Sequence, residues 1–174
     1  MKHYFFFVLY CVLFPSFNML YAQRSNDGCI DVILKDNIHI YVYQQADRMS
    51  DIIDTLYSDT LGSINTTLSI YEKKNAMYQI KYYNEAEEII SGWIGSVGLS
   101  ILTIPNRNDE TNLYKENNAN SVCLTIKGFF QEWVDVLDID MRSKWLKILW
   151  IDGQQYWLPT ENQCANGYTA CNGA

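Results

Sequence analysis

Histidine is scarce in this 174-residue chain, which has two, and only His39 lies beyond the first 22 residues. Cysteine and serine hydrolases need a general base beside the nucleophile, and that base is most often a histidine. His39 lies in the alternating stretch IHIYVY, where a structural strand residue is expected. The Gly-x-Ser-x-Gly elbow of serine hydrolases is also missing. The sequence therefore predicts that the chain is not an enzyme.

Basic residues are outnumbered, because 13 lysines and arginines stand against 20 aspartates and glutamates, a net charge of −7. Without a basic stripe the chain has no electrostatic attraction for phosphate backbones, so we expect no nucleic-acid partner. No CxxC pair accompanies the single remaining histidine, which argues against zinc. Asp138 and Asp140 supply too few oxygen ligands for a hard cation and are interpreted as a charged turn. Neither a metal nor another cofactor is predicted.

No apolar run is long enough for a comfortable membrane span, but residues 1–22 have the form of an export signal. Lys2 precedes the apolar run YFFFVLYCVLF, Pro15 ends it, and Ala22 offers a cleavage site. No cysteine follows the small and apolar residues that a lipidation site needs. We therefore expect an exported protein, periplasmic or extracellular, without an integral membrane span after cleavage.

Four cysteines follow that segment: Cys29, Cys123, Cys164 and Cys171. An even number in an oxidising compartment predicts disulfides, and three pairings are possible. The turn-forming segment ANGYTA between Cys164 and Cys171 favours a bridge between these two, and Cys29–Cys123 would follow by elimination. The alternative is that Cys29 and Cys123 stay as buried thiols.

Strand patterns dominate the chain, and one segment differs. Stretches such as CIDVIL and IHIYVY are rich in β-branched and aromatic residues, which are typical of strands. In residues 50–59, by contrast, Ile52, Ile53, Leu56 and Tyr57 recur at helical spacing, with Ser50 in position to cap the start. This spacing predicts a short helix.

One unit of sequence occurs twice. The stretch LSIYEKKNAMYQIKYY, residues 68–83, aligns with VDVLDIDMRSKWLKILW, residues 134–150. Each copy is an alternating strand, a charged turn and a second strand, and each closes with tryptophan and an aliphatic residue, SGWI in the first and QYWL in the second. The shared order indicates an internal repeat of about 60 residues a copy.

The repeat resembles the bacterial SH3-like (SH3b) family, whose units have an alternating strand, a turn, a Trp-Tyr-Lys-Val-like strand and a closing Gly-Trp-Val. AMYQIKYY with SGWIG is similar to one unit and KWLKILW with YWLP to another, over residues 36–162. The resemblance implies an all-β fold of two small SH3-like barrels in tandem, with the short helix inserted in the first. The Asn-x-Arg and Gly-Pro-Ser signature that helps shape the ligand groove of peptidoglycan-associated members is absent.

This organisation divides the chain into four parts. Residues 1–22 are the signal peptide, 23–35 an N-terminal strand or arm, 36–104 the first SH3-like domain, and 105–174 the second, which ends in a cysteine-bounded tail. The resemblance implies a binding or targeting module, since units of this family often recognise peptidoglycan or peptides.

Aromatic residues, 14% of the chain, carry the binding hypothesis. Strand alternation places Ile80, Ile148 and Trp150 on apolar faces that should form the core. The candidate ligand-binding residues are Trp145, Trp157, Trp93, Tyr83 and Trp133, because exposed rings suit sugars and extended peptides. The alternative is that these rings pack between the two barrels.

The sequence thus predicts a non-catalytic cell-envelope binding module that recognises peptidoglycan or an extended peptide through exposed aromatics. The partner would be a cell-wall glycan or peptide. The alternative is an interaction, inhibitor or immunity-type module with an envelope protein as partner. In that case the acidic residues 47–59 and 85–88 would face a basic surface.

Overall fold

The computed structural model describes residues 28–58, 67–83 and 88–165, so the predicted signal peptide and Cys171 lie outside the described residues. The described chain is β-structure with one 3₁₀ turn, Thr160–Asn162. In this part of the chain no helix is long and apolar enough to cross a membrane. The strands are β1 Ile30–Leu34, β2 His39–Tyr43, β3 Ile52–Tyr57, β4 Thr67–Lys74, β5 Met77–Tyr83, β6 Ile89–Gly95, β7 Leu99–Thr103, β8 Glu110–Tyr114, β9 Val122–Lys127, β10 Glu132–Asp140, β11 Trp145–Leu149, β12 Gln155–Leu158 and β13 Gln163–Cys164.

These strands form one open antiparallel sheet, which confirms the all-β prediction. Its order is β3-β2-β6-β5-β4-β1-β7-β10-β11-β12-β8-β9, and β13 pairs with β7. β1, at the predicted N-terminal arm, is a central strand, since it pairs with both β4 and β7. The sheet ends at β3 on one side and at β9 on the other.

The strand pairing repeats across this sheet. β1 pairs with β4 and β7, just as β7 pairs with β10 and β13. The meanders β4-β5-β6 and β10-β11-β12 are matched, and each carries a bulge at the same place, between Ile70 and Glu72 in β4 and between Val136 and Asp138 in β10. The sequence repeat is therefore also a repeat of structure, and β7 belongs to both copies.

The buried side chains of both copies form one core. Ile80 on β5, Ile101 on β7 and Ile148 on β11 belong to the same cluster, and Trp150 joins them. The burial of Ile80, Ile148 and Trp150 confirms the core positions predicted from strand alternation. A shared strand and one continuous core correct the prediction of two separate barrels.

The predicted short helix is wrong, because residues 52–57 form β3 instead. β3 pairs with β2 over its whole length, with Leu56 opposite Ile40 and buried beside it. Ile52, Ile53 and Thr55 are β-branched, and pairing with β2 buries Leu56, so strand formation outweighs the local helical spacing. Ser50, the predicted helix cap, closes the preceding loop by donating its hydroxyl to the Asp47 carbonyl, 2.8 Å away.

Candidate functional site

Each copy carries the same loop between the two strands of its first hairpin. In the β2–β3 loop the Ser50 hydroxyl donates to the Asp47 carbonyl at 2.8 Å, and in the β8–β9 loop the Ser121 hydroxyl donates to the Asn118 carbonyl at 2.9 Å. The side chains of Asp47 and Asn118 each accept the N–H two residues further on, as in an Asx turn. These bonds hold both loops in one conformation.

A tyrosine–tryptophan pair lies beside each loop. Tyr43 on β2 is opposite Trp93 on β6, and Tyr114 on β8 is opposite Trp157 on β12. In the second copy the Trp145 ring also packs on Tyr114, with ring centroids 4.7 Å apart at 49°. The second copy therefore builds a half-buried aromatic cluster next to its loop.

A groove of about 520 Å³ runs between the two copies of the repeat, and we call it the seam groove. The first copy contributes Tyr71, the residue at the bulge of β4. The second copy contributes Trp157 from β12, Asn117 from the β8–β9 loop, and Asp140, Met141 and Arg142 from the β10–β11 turn. Two aromatic rings, an amide and a guanidinium thus line one open surface.

Asp140 fixes the wall of the seam groove. Its carboxylate accepts hydrogen bonds from the Asn117 amide, from the Ser143 hydroxyl at 3.0 Å and from the Arg142 N–H at 2.9 Å. Burial acts to raise the pKa of Asp140, but the bonds from Arg142, Ser143 and Asn117 outweigh it, so the pKa lies below its ordinary value. The β8–β9 loop and the β10–β11 turn are therefore tied together by an ionised carboxylate.

Asp138 joins the second copy to the first at the edge of the same groove. It accepts hydrogen bonds from the Lys73 ammonium at 2.5 Å and the Tyr78 hydroxyl at 2.6 Å. Burial alone would raise the pKa of Asp138, but the bonds from Lys73, Tyr78 and the Ile139 N–H lower it overall. The sequence predicts that Asp138 and Asp140 form a charged turn, but both lie on β10 and the turn begins only after Asp140.

Two charges in the seam groove are left without partners. Among the described residues, the Arg142 guanidinium and the Glu72 carboxylate make no hydrogen bond or ion pair, although both line the groove. Lys73, by contrast, is bound to Asp138. The free guanidinium is available for a carboxylate and the free carboxylate for an ammonium group.

The five aromatic candidates do not come together in one site. Trp157 lines the seam groove. Trp145 does not line it, but it packs against Tyr114 and lies opposite the groove residue Asp140 in the sheet. Trp93 lies on β6 in the first copy, and Tyr83 is 60% exposed at the end of β5. Trp133 lines a different pocket, between β1 and β10. The role of each in ligand binding stays a prediction.

Tyr71, Asn117 and Arg142 were not predicted as site residues. The alignment of the two copies could have pointed to Tyr71, because it aligns with Leu137 at the matching bulge and has an aromatic ring where the other copy has an aliphatic side chain. Asn117 lies in the polar run KENNANS, which reads only as a loop. Nothing in the sequence singles out Arg142, since its position depends on how the two copies meet.

The predicted bridge between Cys29 and Cys123 is wrong, because both are free thiols. The two residues lie on different parts of the sheet: Cys29 directly precedes β1 near the centre, whereas Cys123 lies on the edge strand β9 and is exposed rather than buried. Cys164 is disulfide-bonded. Its predicted partner, Cys171, lies outside the described residues, so that pairing stays a prediction.

His39 packs against an aromatic ring, since it stacks on Tyr57 with ring centroids 4.4 Å apart. Over residues 28–58, 67–83 and 88–165 no group of three or more histidine, cysteine, aspartate or glutamate side chains is placed to hold a metal ion.

The sequence matches no protein-family model and no curated protein. Its structure has a weak likeness to two solved structures from Trichomonas vaginalis, NlpC2 and NlpC1, each with 16% sequence identity and a TM-score of 0.32. The likeness covers 78% of this chain in both cases, but only 48% of NlpC2 and 45% of NlpC1. At this TM-score the likeness carries no argument about the function of the chain.

Proposed function

We propose that this chain is an exported, non-catalytic binding module of the cell envelope that recognises peptidoglycan or an extended peptide in the seam groove. The observation that carries the proposal is the combination of two aromatic rings, Trp157 and Tyr71, with the unpaired Arg142 guanidinium in one open groove. The SH3b resemblance of the sequence and the export signal predicted at residues 1–22 support it.

The rings suit a ligand that lies along the groove. Trp157 and Tyr71 belong to different copies, so a ligand that contacts both must cross the seam. Aromatic rings offer flat apolar faces to C–H groups of sugars and peptides, and their N–H or O–H groups hydrogen-bond at the edge. An extended ligand is favoured over a compact one because the groove is open at the surface.

The free charges favour a ligand with peptide character. A guanidinium binds a carboxylate through two parallel hydrogen bonds, which adds orientation as well as affinity. Peptidoglycan carries short peptides with carboxylate groups, so Arg142 would bind such a carboxylate while Trp157 and Tyr71 contact the remaining chain. Glu72 would face an amino group of the same ligand.

The proposal assigns no catalytic role to the groove carboxylates. Asp138 and Asp140 are each held by several hydrogen-bond donors, and the pKa of each lies below its ordinary value. Both therefore stay ionised at neutral pH and are poorly suited to donate a proton as a general acid.

Co-sedimentation of the purified protein with cell-wall sacculi tests this function. We expect the unmodified protein to pellet with sacculi, and Arg142→Ala and Trp157→Ala to reduce the bound fraction about tenfold. Arg107→Ala is the matched control, because Arg107 is exposed on a turn outside the groove.

Failure of the unmodified protein to pellet, or equal pelleting of Arg142→Ala and Arg107→Ala, contradicts the proposal. Capture of one envelope protein in stoichiometric amount, with no binding to sacculi, would instead support the interaction-module alternative.

A further inference from the structure

A second pocket lies on the outer face of the sheet, where β1, β7 and β10 run side by side. Ile33, Ser100 and Asp135 form one row across these three strands, since Ile33 pairs with Ser100 and Ser100 with Asp135. Trp133 lies two residues before Asp135 and so on the same face of β10. The pocket encloses about 280 Å³, and we call it the Trp133 pocket. It shares no lining residue with the seam groove.

Trp133 is accessible in this pocket. Its side chain is 42% exposed, although Val134, the next residue along the strand, is buried in the core. The position of Trp133 leaves part of the ring available for contact with a ligand.

The charges in the Trp133 pocket largely cancel. The Lys35 ammonium donates to both carboxylate oxygens of Asp135, at 2.7 and 3.0 Å. Asp36 accepts a hydrogen bond from the Ser58 hydroxyl at 3.2 Å and forms no ion pair with the described residues. The pocket therefore carries one uncompensated charge, which favours neither a strongly anionic nor a strongly cationic ligand.

We propose that the Trp133 pocket is a saccharide-binding site, distinct from the seam groove. A pyranose ring has a flat C–H face that stacks on an indole, and hydroxyl groups at its edge that need both donors and acceptors. Trp133 offers the ring, Asp135 and Asp36 the acceptors, and Lys35 the donor. The Lys35–Asp135 pair is partly exposed, so its members gain bonds to hydroxyl groups without losing a strong interaction.

The size of the pocket fits a single sugar unit of a longer chain. Pockets for whole drug-sized ligands enclose roughly 300–1,000 Å³, and this one, at about 280 Å³, is slightly smaller than that range. One ring would therefore rest against Trp133 while neighbouring units extend over the sheet. The site stands on its own geometry, and only the choice of an N-acetylglucosamine probe rests on the proposed function.

Isothermal titration of the purified protein with the N-acetylglucosamine tetramer tests the site. We expect Trp133→Ala to weaken binding about tenfold, and Asp135→Asn to weaken it several-fold while keeping the shape of the side chain. Phe129→Ala is the matched control, because Phe129 is 78% exposed and lies outside the pocket; it should bind as the unmodified protein does. Thermal unfolding of each variant shows that its fold is kept.

Three results would overturn the saccharide site. The first is no binding of the tetramer by the unmodified protein at millimolar concentration, and the second is unchanged binding by Trp133→Ala. If Trp133→Ala does not fold, Trp133→Phe and Asp135→Asn are measured in its place. The third contradicting result is unchanged affinity for the tetramer in both of these variants. The Arg142→Ala variant separates this site from the seam groove, since it should lose sacculus binding through the groove and keep affinity for the tetramer.

Discussion

Asp138 joins the two copies of the repeat through side chains alone. Lys73 and Tyr78 belong to the first copy, and both donate to the Asp138 carboxylate of the second. Burial, together with the hydrogen bond to Asp138, raises the pKa of Tyr78, so its hydroxyl stays protonated and remains a donor at neutral pH. Lys35 and Asp135 form a second ion pair between the copies, on the outer face.

Replacing Asp138 by asparagine tests this link. We expect Asp138→Asn to lower the free energy of unfolding at pH 7 by about 1–2 kcal/mol, a modest value because the side chain is 38% exposed and partly screened. The measurement is urea unfolding followed by tryptophan fluorescence. Asp109→Asn, at an exposed turn, is the control and should change little.

The difference in unfolding free energy between the unmodified protein and Asp138→Asn should depend on pH. The pKa of Asp138 is lower in the native state than in the unfolded chain, so the carboxylate stabilises the native state above its unfolded pKa of about 3.9. This contribution is lost as the pH falls through the native pKa. The difference in stability between the unmodified protein and Asp138→Asn should therefore be full at pH 6 and shrink below about pH 4. A difference that is constant from pH 7 to pH 3 would contradict this account.

At the scale of the elements, the two hairpin loops have one hydrogen-bond pattern and different surroundings. Ser50 and Ser121 close their loops in the same way. The β8–β9 loop is also tied to the groove, because Asn117 donates to Asp140. In the first copy Ala46 takes the corresponding place, and its carbonyl accepts from Asn75 in the β4–β5 turn at 3.1 Å. Only the second loop shapes the seam groove.

This difference predicts unequal effects of two equivalent substitutions. Ser121→Ala and Ser50→Ala should each cost about 1 kcal/mol of stability, because each removes the same hydroxyl bonds. Only Ser121→Ala should weaken sacculus binding, by several-fold, since it loosens the loop that holds Asn117. Equal loss of binding in both variants would show that the seam groove is not the site.

The strands show which features of the fold can be predicted from the sequence. Alternation on β5 and β11 correctly placed Ile80, Ile148 and Trp150 in the core, because side-chain period on a strand follows from backbone geometry alone. The helical spacing in residues 52–57 gives the wrong prediction, because the segment is rich in β-branched residues and its pairing with β2 buries Leu56. The bridge predicted between Cys29 and Cys123 failed because elimination takes no account of distance in the sheet.

At the scale of the whole molecule, β7 joins the two copies of the repeat into a single folded unit. It pairs with β1 on one side and with β10 on the other, and its residue Ile101 is fully buried in the common core. The repeat was visible in the sequence, but the shared strand was not, because nothing in LSILT shows that it pairs twice. The seam groove could not be predicted for the same reason: Tyr71 and Arg142 meet only through this junction.

One cooperative unfolding transition is the expected consequence. Ile101→Ala should lower the free energy of unfolding by about 2–5 kcal/mol and destabilise both copies together. Ile151→Ala, at an exposed position, should cost less than about 0.5 kcal/mol. Far-UV circular dichroism and tryptophan fluorescence should give coincident urea transitions in all three proteins. Separate transitions for the two probes would contradict a shared core.

The central claim is that a ligand lies across the seam between the copies. It is tested most directly by two-dimensional ¹H–¹⁵N NMR of the protein titrated with a soluble peptidoglycan fragment that carries its peptide. We predict saturable shifts of the Trp157 indole N–H and of the amides of Tyr71 and Arg142, which belong to both copies. Shifts confined to one copy, or a spectrum that does not change, would contradict the claim.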